Sequence, residues 1–340
     1  MSTQEIQFPF VLESGEKLNL KLAYAVFGKL ESKNPIVWVC HALTGSPNVF
    51  DWWSGSFGEN KLFNAQNFTI VCVNIPGSAY GSTSPLDKND QDTIWFDEFP
   101  IFTTRDVANA FEFLRIELKI NTINWLIGAS LGGQIALEWA LIQQEKIKNL
   151  VLIASNAYHS PFGIAFNESQ RLAIKADPSF QQNRIDGGKN GLMAARSIAL
   201  LSYRTSNAYN QTQKEKNSEK IKDFRASSYQ AYQGWKLSER FNAYSYFRLT
   251  QTMDSHNVAR HRTEVEEMDK ACSQVLNSLK INAFIIGITS DLLFPLQEQE
   301  FLAKHILNAQ LFTIESDYGH DAFLVEFEQL NQIFNQILNK

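Results

Sequence analysis

Short apolar runs alternate with amphipathic segments along most of the chain. Runs of this length without polar interruption are typical of strands that helices cover on both faces. They occupy residues 36–40, 68–73, 125–127, 150–153, 282–288 and 310–314. Residues 6–12 and 17–27 predict two further strands, which pair antiparallel because a turn sequence at 14–16 separates them.

Helical periodicity fills several of the gaps between these runs. After Thr103, a residue typical of helix caps, four apolar residues share one face of a segment that ends near Leu118. These four are Val107, Ala110, Phe111 and Leu114. A last helix is predicted from Ala322 to about Leu338. Strands that alternate with helices in this way predict an α/β fold, with a mostly parallel sheet and helices on both faces.

The pattern changes between residues 161 and 278, where strand-like runs are absent. Helical patterns occupy 191–204, 224–241 and 243–253, and a charged stretch at 211–223 is typical of solvated surface. We interpret 161–278 as an all-helical cap, inserted into a core made of residues 1–160 and 279–340. Six aromatic residues of the cap are expected to be exposed: Tyr229, Tyr232, Trp235, Tyr244, Tyr246 and Phe247. Either a dimer interface or packing of the cap onto the core accounts for them.

Length and net charge indicate the size of the domain and argue against two classes of binding partner. A chain of 340 residues and 38.7 kDa is long enough for one large α/β domain with an inserted cap. Its net charge of −5 and pI of about 5.8 argue against nucleic acid or an anionic membrane surface as an obligatory partner. The N-terminal segment lacks the features of a signal peptide, and no apolar run has the length of a membrane span. We therefore expect a cytoplasmic protein.

The three cysteines are Cys40, Cys72 and Cys272. Their number and spacing match neither a disulfide framework nor a set of metal ligands, so no metal site is predicted. Cys40 and Cys72 lie inside apolar strand-like runs, where we expect buried and unreactive thiols.

A candidate nucleophile stands between a strand and a helix. Residues 128–132 form the pattern Gly-x-Ser-x-Gly, directly after the apolar run 125–127 and before a helical segment. A sharp turn of this kind raises the hydroxyl of Ser130 above the sheet edge, and the glycines on either side avoid steric clashes. The alternative is a plain strand–glycine–helix turn with an idle serine. The flanking strand and helix favour the nucleophile.

A serine nucleophile needs a base, and an acid must orient that base. His320 follows the last strand and precedes the last helix, while Asp291 follows the strand 282–288. Asp317 lies only three residues from His320, which is a poor position for orienting it. The chain order Ser130, Asp291, His320 is that of an α/β-hydrolase fold. The alternative makes Asp291 a helix cap and His320 an ordinary loop residue.

The other histidines occupy different surroundings. His305 falls in a predicted helix, and His256 and His261 fall in a polar helical segment of the cap. His159 comes shortly after a strand, so a catalytic role stays open for it. His41 follows a strand as well, in the loop where an oxyanion donor is expected, and we expect it to organise that loop.

Two backbone N–H groups are the candidate donors to an oxyanion. One belongs to Leu131, at the start of the helix that follows the serine. The other belongs to Leu43, in the loop after the strand 36–40. Both lie where an α/β-hydrolase fold takes its oxyanion donors.

Several sequence blocks together resemble the homoserine O-acetyltransferase family. They are HALTGS (41–46), TTRD (103–106), GASLGGQIALEWA (128–140), FNESQRLAI..DP (166–178), GLMAARSIALLSYR (191–204), SYQAYQG (228–234), RFNAYSY (240–246) and YGHDAF (318–323). The resemblance extends from about residue 18 to 330 and includes the cap. It implies an α/β-hydrolase fold, a homodimer and a role in methionine biosynthesis. One departure is Ile75-Pro76-Gly77, where many members carry paired glycines near the acyl site.

An amino-acid acceptor requires a cation for its carboxylate and an anion for its amine. Arg204, at the end of an apolar helix, can bind the carboxylate through two hydrogen bonds, and Asp321, beside His320, can hold the amine. Both residues match substrate-binding positions of the family that the chain resembles. The alternatives are a surface arginine at a helix end and an aspartate that caps the last helix.

The triad predicts a Ser130 acyl-enzyme, and the family resemblance implies that it carries an acetyl group from acetyl-CoA to L-homoserine. Acetyl-CoA is then a co-substrate, and no metal or prosthetic group is required. The alternatives are a succinyl donor, a serine acceptor, or an esterase-type α/β hydrolase in which water attacks the acyl-enzyme. A non-catalytic binding protein on this fold is harder to reconcile with a complete triad.

Overall fold

A computed structural model of the chain describes residues 3–339. The strands are β1 Gln4–Val11, β2 Lys17–Phe27, β3 Ile36–Cys40, β4 Thr69–Val73, β5 Ile123–Ala129, β6 Ile147–Ile153, β7 Asn282–Ile288 and β8 Asn308–Ile314. The α-helices are α1 Val49–Trp52, α2 Thr104–Glu117, α3 Leu131–Gln143, α4 Pro161–Lys175, α5 Lys189–Tyr203, α6 Ser206–Thr212, α7 Arg225–Ser238, α8 Ala243–Asp254, α9 Met268–Leu276, α10 Leu296–His305 and α11 Phe327–Leu338. Short 3₁₀ helices span Phe96–Glu98, Gln144–Lys146, Pro178–Gln182 and Gly319–Leu324.

The eight strands form one sheet in the order β1-β2-β4-β3-β5-β6-β7-β8. The pairs from β4 to β8 are parallel, whereas β1 pairs antiparallel with β2, and β2 antiparallel with β4. The predicted α/β architecture with a mostly parallel sheet is therefore confirmed. Because parallel strands end at the same edge, the segments that follow β3, β5, β7 and β8 all emerge on one side of the sheet.

Separate hydrophobic clusters cover the two faces of the sheet, as the apolar runs predict. Trp38 of β3 packs on one face with Trp139 of α3 at a ring-centroid distance of 4.9 Å. On the other face lie Val37 and the buried Phe334 of α11. Cys40 and Cys72 are buried, in agreement with the prediction, and Cys272 is buried as well.

The helix α2 begins where its sequence predicts. Thr103 caps it by accepting a hydrogen bond from the Asp106 N–H, and the Asp106 carboxylate accepts one in return from the Thr103 N–H. The predicted apolar face is fully buried against the sheet. None of the described helices is both long enough and apolar enough to cross a bilayer.

The helices α4 to α9 lie between β6 and β7. Exposure of the six cap aromatics is predicted correctly only in part. Tyr232 and Trp235 are 51% and 47% exposed, but Tyr244, Tyr246 and Phe247 are buried. Tyr244 stacks on Phe180 at 4.7 Å, so these rings fill the interior of the helical region. The exposed aromatic surface is consequently smaller than the sequence suggests.

The predicted start of the last helix and the helical assignment of His256 are wrong. The last helix begins at Phe327 rather than Ala322, because the Phe323 carbonyl accepts a hydrogen bond from the Trp53 indole and residues 319–324 form a 3₁₀ helix. His256 lies outside α8, since residues 256–258 pair instead with the segment that contains His159. In both places a tertiary hydrogen bond replaces a helical one.

Candidate active site

Ser130 occupies a strained turn between β5 and α3. Its backbone has φ 55° and ψ −127°, a conformation that a non-glycine residue adopts only when its surroundings enforce it. A Cβ on Gly128 would lie 2.1 Å from the Gly132 oxygen, and a Cβ on Gly132 would lie 2.0 Å from the Cys40 oxygen. Both glycines of the motif are therefore required by close backbone contacts.

The structure brings together the three residues that the chain order predicts as a triad. His320 Nε2 lies 2.9 Å from Ser130 Oγ, and His320 Nδ1 lies 2.6 Å from Asp291 Oδ2. All three side chains are buried. A carboxylate only accepts hydrogen bonds, so Nδ1 carries the proton and Nε2 accepts from the serine hydroxyl. This arrangement can move a proton from Oγ to Nε2.

Asp291 is held by the turn that leads into α10. Its second carboxylate oxygen accepts hydrogen bonds from the N–H groups of Leu293 and Phe294 at 2.8 and 2.9 Å. The ring of Phe294 also stacks on the His320 ring at a centroid distance of 5.0 Å. The same short turn thus orients the acid and packs against the base, whereas Asp317 accepts hydrogen bonds from Thr205 and Asn207 instead.

Burial and neighbouring charges act on the base in opposite directions. Burial by itself lowers the pKa of His320, but the charge and hydrogen bond of Asp291 raise it, and the carboxylates of Asp321 and Glu298 add to that effect. The resulting pKa is above the ordinary histidine value. The imidazolium that would form during proton transfer is therefore stabilised.

The loop after β3 lies beside the nucleophile because β3 pairs with β5. His41 is fully buried, and its Nδ1–H donates to the Ala42 oxygen at 2.8 Å, while its Nε2 accepts from the Ile75 N–H at 3.0 Å. Burial lowers the pKa of His41 to about 4, so this ring is neutral, as its acceptor role requires. Because a trans peptide directs its C=O and N–H oppositely, His41 orients the Leu43 N–H.

The N–H groups of Leu43 and Leu131 can both serve as oxyanion donors. Leu131 is the first residue of α3, where N–H groups have no partner within the helix. Among the hydrogen bonds of residues 3–339, neither N–H donates to another protein group. Both side chains are buried, so the two amides lie in surroundings with little competing water.

Arg204 and Asp321 lie together beside the base. Arg204 Nε donates to Asp321 Oδ2 at 3.1 Å, and its guanidinium also lies 5.8 Å from the Tyr229 ring. Their side chains are 25% and 14% exposed, so the pair faces a partly open space. Asp321 is inside a 3₁₀ helix rather than capping a helix, and Arg204 is the C-cap residue of α5.

Gly319 permits this approach of the cap to the base. Its φ is +61°, and a Cβ there would lie 2.9 Å from the Tyr203 carbonyl oxygen. Tyr203 in turn lies 5.6 Å from the His320 ring. A glycine directly before the histidine is a sequence signal for such a close contact, although the sequence does not identify the partner.

The other candidate histidines have structural partners elsewhere. His159 is buried near Gln134 and Asn167, and burial lowers its pKa to about 3. His256 donates from Nε2 to the Asn156 carbonyl at 3.0 Å. The hydrogen bonds of these two rings go to groups other than Ser130. Arg105, which the sequence does not assign to the site, pairs with Glu13 and Glu138 at a distance from it.

One residue near the site is missed by sequence reasoning. Glu298, in the first turn of α10, accepts a hydrogen bond from Asn156 Nδ2 at 2.9 Å. Burial raises the pKa of Glu298 to about 7, and the charge of Asp291 contributes to this rise. In the sequence, its position shortly after Asp291 is what indicates that Glu298 lies near the site. Within residues 3–339, no cluster of three or more His, Cys, Asp or Glu could hold a metal ion.

Comparisons with known proteins agree with this architecture. A family model described as alpha/beta hydrolase fold matches residues 35–327. The chain is 44% identical to "Homoserine O-acetyltransferase" from Cyclobacterium marinum, over 97% of this chain and 94% of that protein. A solved homoserine O-acetyltransferase from Staphylococcus aureus superposes with a TM-score of 0.82 at 30% identity, covering 100% of this chain and 95% of that one.

An acetylester hydrolase from Corynebacterium glutamicum also superposes, with a TM-score of 0.86 at 20% identity over 100% of this chain and 96% of that one. At this level of identity the likeness concerns the fold alone. The two homoserine O-acetyltransferases, at 44% and 30% identity and nearly full coverage, show the family as well as the fold. The chain therefore belongs to the homoserine O-acetyltransferase family of α/β-hydrolase-fold enzymes.

Proposed function

We propose that this protein transfers an acetyl group from acetyl-CoA to the side-chain hydroxyl of L-homoserine, through an acetyl ester on Ser130. Family membership supports the reaction class, and the triad geometry supports the covalent route. The observation that carries the acceptor assignment is the Arg204–Asp321 ion pair beside His320. A plain esterase needs no such pair, because its second substrate is water.

In the first half-reaction, His320 Nε2 takes the proton of Ser130 while Oγ attacks the thioester carbonyl carbon. The negative charge that develops on the carbonyl oxygen is stabilised by the N–H groups of Leu43 and Leu131. The C–S bond then breaks, and coenzyme A leaves as a thiol after His320 returns the proton. Asp291 keeps Nδ1 protonated throughout and stabilises the imidazolium.

In the second half-reaction, His320 takes the proton of the homoserine hydroxyl, and the hydroxyl oxygen attacks the acetyl ester. The ester bond to Ser130 breaks, Oγ regains its proton from His320, and O-acetylhomoserine leaves. Two half-reactions through one covalent intermediate give ping-pong kinetics. No metal or prosthetic group takes part in this sequence, whose product belongs to methionine biosynthesis.

A zwitterionic acceptor complements the ion pair next to the base. Its carboxylate can bind the Arg204 guanidinium and its ammonium can bind Asp321, so one ion pair is replaced by two without a change in net charge. Asp321 directly follows His320 in the chain, so an amine bound there brings the acceptor hydroxyl close to Nε2. Binding of this kind favours homoserine over water as the attacking group.

Mass spectrometry and product analysis test the proposal. With acetyl-CoA alone, we expect an acetyl adduct on Ser130 and none in Ser130→Ala. Addition of homoserine should then release coenzyme A in continuous turnover. Parallel reactions with succinyl-CoA and with serine distinguish the alternative donor and acceptor. Free acetate formed equally fast with and without homoserine would instead establish an esterase.

A further inference from the structure

An arginine of the cap holds the oxyanion loop from outside the core. Arg240 lies just beyond the end of α7, and its Nη1 donates to the Thr44 carbonyl oxygen at 2.8 Å. Its Nη2 donates to Thr44 Oγ1 at 3.3 Å. Thr44 directly follows Leu43, whose N–H is the proposed oxyanion donor. The two partners are 196 positions apart in the sequence, so only the tertiary structure joins them.

Two peptide groups in series connect this contact to the Leu43 amide. The C=O of Thr44 and the N–H of Gly45 belong to one trans peptide, and the Gly45 N–H donates to the Ala42 oxygen at 2.9 Å. The C=O of Ala42 and the N–H of Leu43 belong to another. Because each trans peptide accepts at one end and donates at the other, the dipoles align from the guanidinium of Arg240 to the Leu43 N–H.

The same guanidinium also binds the loop 74–85. Arg240 Nη1 donates to Tyr80 Oη at 2.6 Å, and the Tyr80 ring packs edge-on against Phe241 at 5.7 Å. On the inner side, the Ile75 N–H donates to His41 Nε2, as described above. The loop after β3 and the loop 74–85 are therefore linked in two places. One link is the Ile75–His41 hydrogen bond within the core, and the other runs through Arg240 of the cap.

We propose that Arg240 is a positioning residue for acylation, which orients and polarises the Leu43 amide through these two peptides. The inference rests on the proposed acyl-enzyme function of Ser130. Hydrogen bonds in a chain strengthen one another, and a charged donor at one end makes the N–H at the other end a better donor. Seating of the cap on the core thereby sets the strength of the oxyanion hole.

The size of the effect follows from the position of Arg240. Loss of a whole oxyanion donor slows acylation by roughly 100-fold to 1,000-fold. Arg240 is exposed and acts at a distance, so solvent weakens its influence. We expect Arg240→Met to slow acylation roughly tenfold, while the KM for homoserine stays unchanged. Arg240→Lys should recover part of the rate, because it keeps the charge but not the forked geometry.

The experiment measures acylation of Ser130 by rapid mixing, with acetyl-CoA and with p-nitrophenyl acetate as two independent acyl donors. The matched control is Lys189→Met, which breaks the exposed ion pair between Lys189 and Glu239 at 2.8 Å in the same part of the cap. A second readout is the infrared frequency of the acyl-enzyme carbonyl. A weaker oxyanion donor should raise it in Arg240→Met, and a purely structural clamp would leave it unchanged in correctly folded protein.

The outcomes separate this inference from the proposed function. If wild type forms no adduct on Ser130 with either donor, the proposed function fails. If wild type is acylated and Arg240→Met is acylated as fast as Lys189→Met, with the same carbonyl frequency, the positioning role is wrong. Should Arg240→Met not fold, the comparison of Arg240→Lys with Arg240→Gln takes its place, and equal rates in those two variants would overturn the role of the charge.

Discussion

Arg204 donates a hydrogen bond from Nε to Asp321 Oδ2 at 3.1 Å, although the two residues are 117 positions apart in the sequence. Arg204 ends a helix of the cap, and Asp321 directly follows the histidine of the triad. The ion pair thus joins the cap to the loop that carries the base. It also places opposite charges beside His320, where we propose that an amino-acid acceptor binds.

Replacement of the guanidinium tests this assignment. Arg204→Leu removes a charge-assisted hydrogen-bond pair worth about 1.5–3 kcal/mol, so the KM for homoserine should rise by roughly one to two orders of magnitude. The initial release of coenzyme A should survive, since acylation needs no acceptor. Arg204→Lys should not restore binding fully, because a point charge lacks the planar fork. Steady-state and burst kinetics check both expectations.

Arg184→Leu is the matched control for that change, because Arg184 forms an exposed ion pair with Asp186 in the same region. It should leave the KM for homoserine unaltered. Asp321→Asn should weaken capture of homoserine more than acylation. A normal KM in both Arg204→Leu and Asp321→Asn would contradict the proposed acceptor site.

The pH dependence of acylation should report the charge of Glu298. The carboxylate of Glu298 is among the groups that raise the pKa of His320, and a protonated His320 cannot act as base. Activity is therefore lost as the pH falls through the raised pKa. Above about pH 7, where Glu298 is ionised, Glu298→Gln removes a negative charge and lowers the pKa of His320, so this part of the acid limb should move to lower pH. The control is Glu300→Gln, an exposed position on the same helix. Superimposable profiles for Glu298→Gln and wild type would exclude this coupling.

The second glycine of the nucleophile motif should tolerate no side chain. In Gly132→Ala the new Cβ would meet the backbone oxygen of Cys40 at 2.0 Å, and a strand backbone cannot move aside easily. We expect a loss of about 3 kcal/mol or more in the free energy of unfolding, measured with urea.

Gly15→Ala is the control that separates a steric clash from backbone strain, because Gly15 has a φ of +88° but no atom within 4 Å of a Cβ. Its cost should be about 1–2 kcal/mol. Equal stability of the two variants would refute the clash argument.

We propose that the protein forms a homodimer through the cap, as the family resemblance implies. Tyr232 and Trp235 are exposed on α7, and their rings lie 5.8 Å apart. Exposed aromatic pairs of this kind are frequent at interfaces. Light scattering of wild type should give twice the chain mass, and the double change Tyr232→Ser with Trp235→Ser should reduce it. The control is Leu307→Ser, which changes a 70% exposed side chain outside the cap and should leave the mass unaltered. A wild-type mass of 38.7 kDa would end this proposal.

The triad residues could be named from the sequence because each stands at a strand end. Ser130 lies between an apolar run and a helix, and Asp291 and His320 follow later strands. Parallel strands end at a common edge, so residues distant in sequence are expected to meet there. The pairing of β7 with β8 brings Asp291 and His320 into the same region. Local patterns were sufficient for this part of the site.

Errors arose where a tertiary hydrogen bond competes with local helical preference. The helical pattern after His320 is genuine, but the Phe323 carbonyl binds the Trp53 indole, and the helix starts later. Similarly, the amphipathic pattern of the cap does not distinguish outward-facing Trp235 from buried Tyr246. Aromatic residues fit either surroundings, and periodicity alone does not identify the packing partner.

The sequence by itself determined the order of strands and helices, the turn at Ser130 and the candidate partners of that serine, because these depend on apolar periodicity and glycine placement within short segments. Only the tertiary structure decided which groups hold the site in position. The Arg204–Asp321 pair, the contact of Gly319 with Tyr203 and the link from Arg240 to Thr44 each join the cap to the core. Such contacts depend on how the helices pack on the sheet, and no local pattern in the chain encodes that packing.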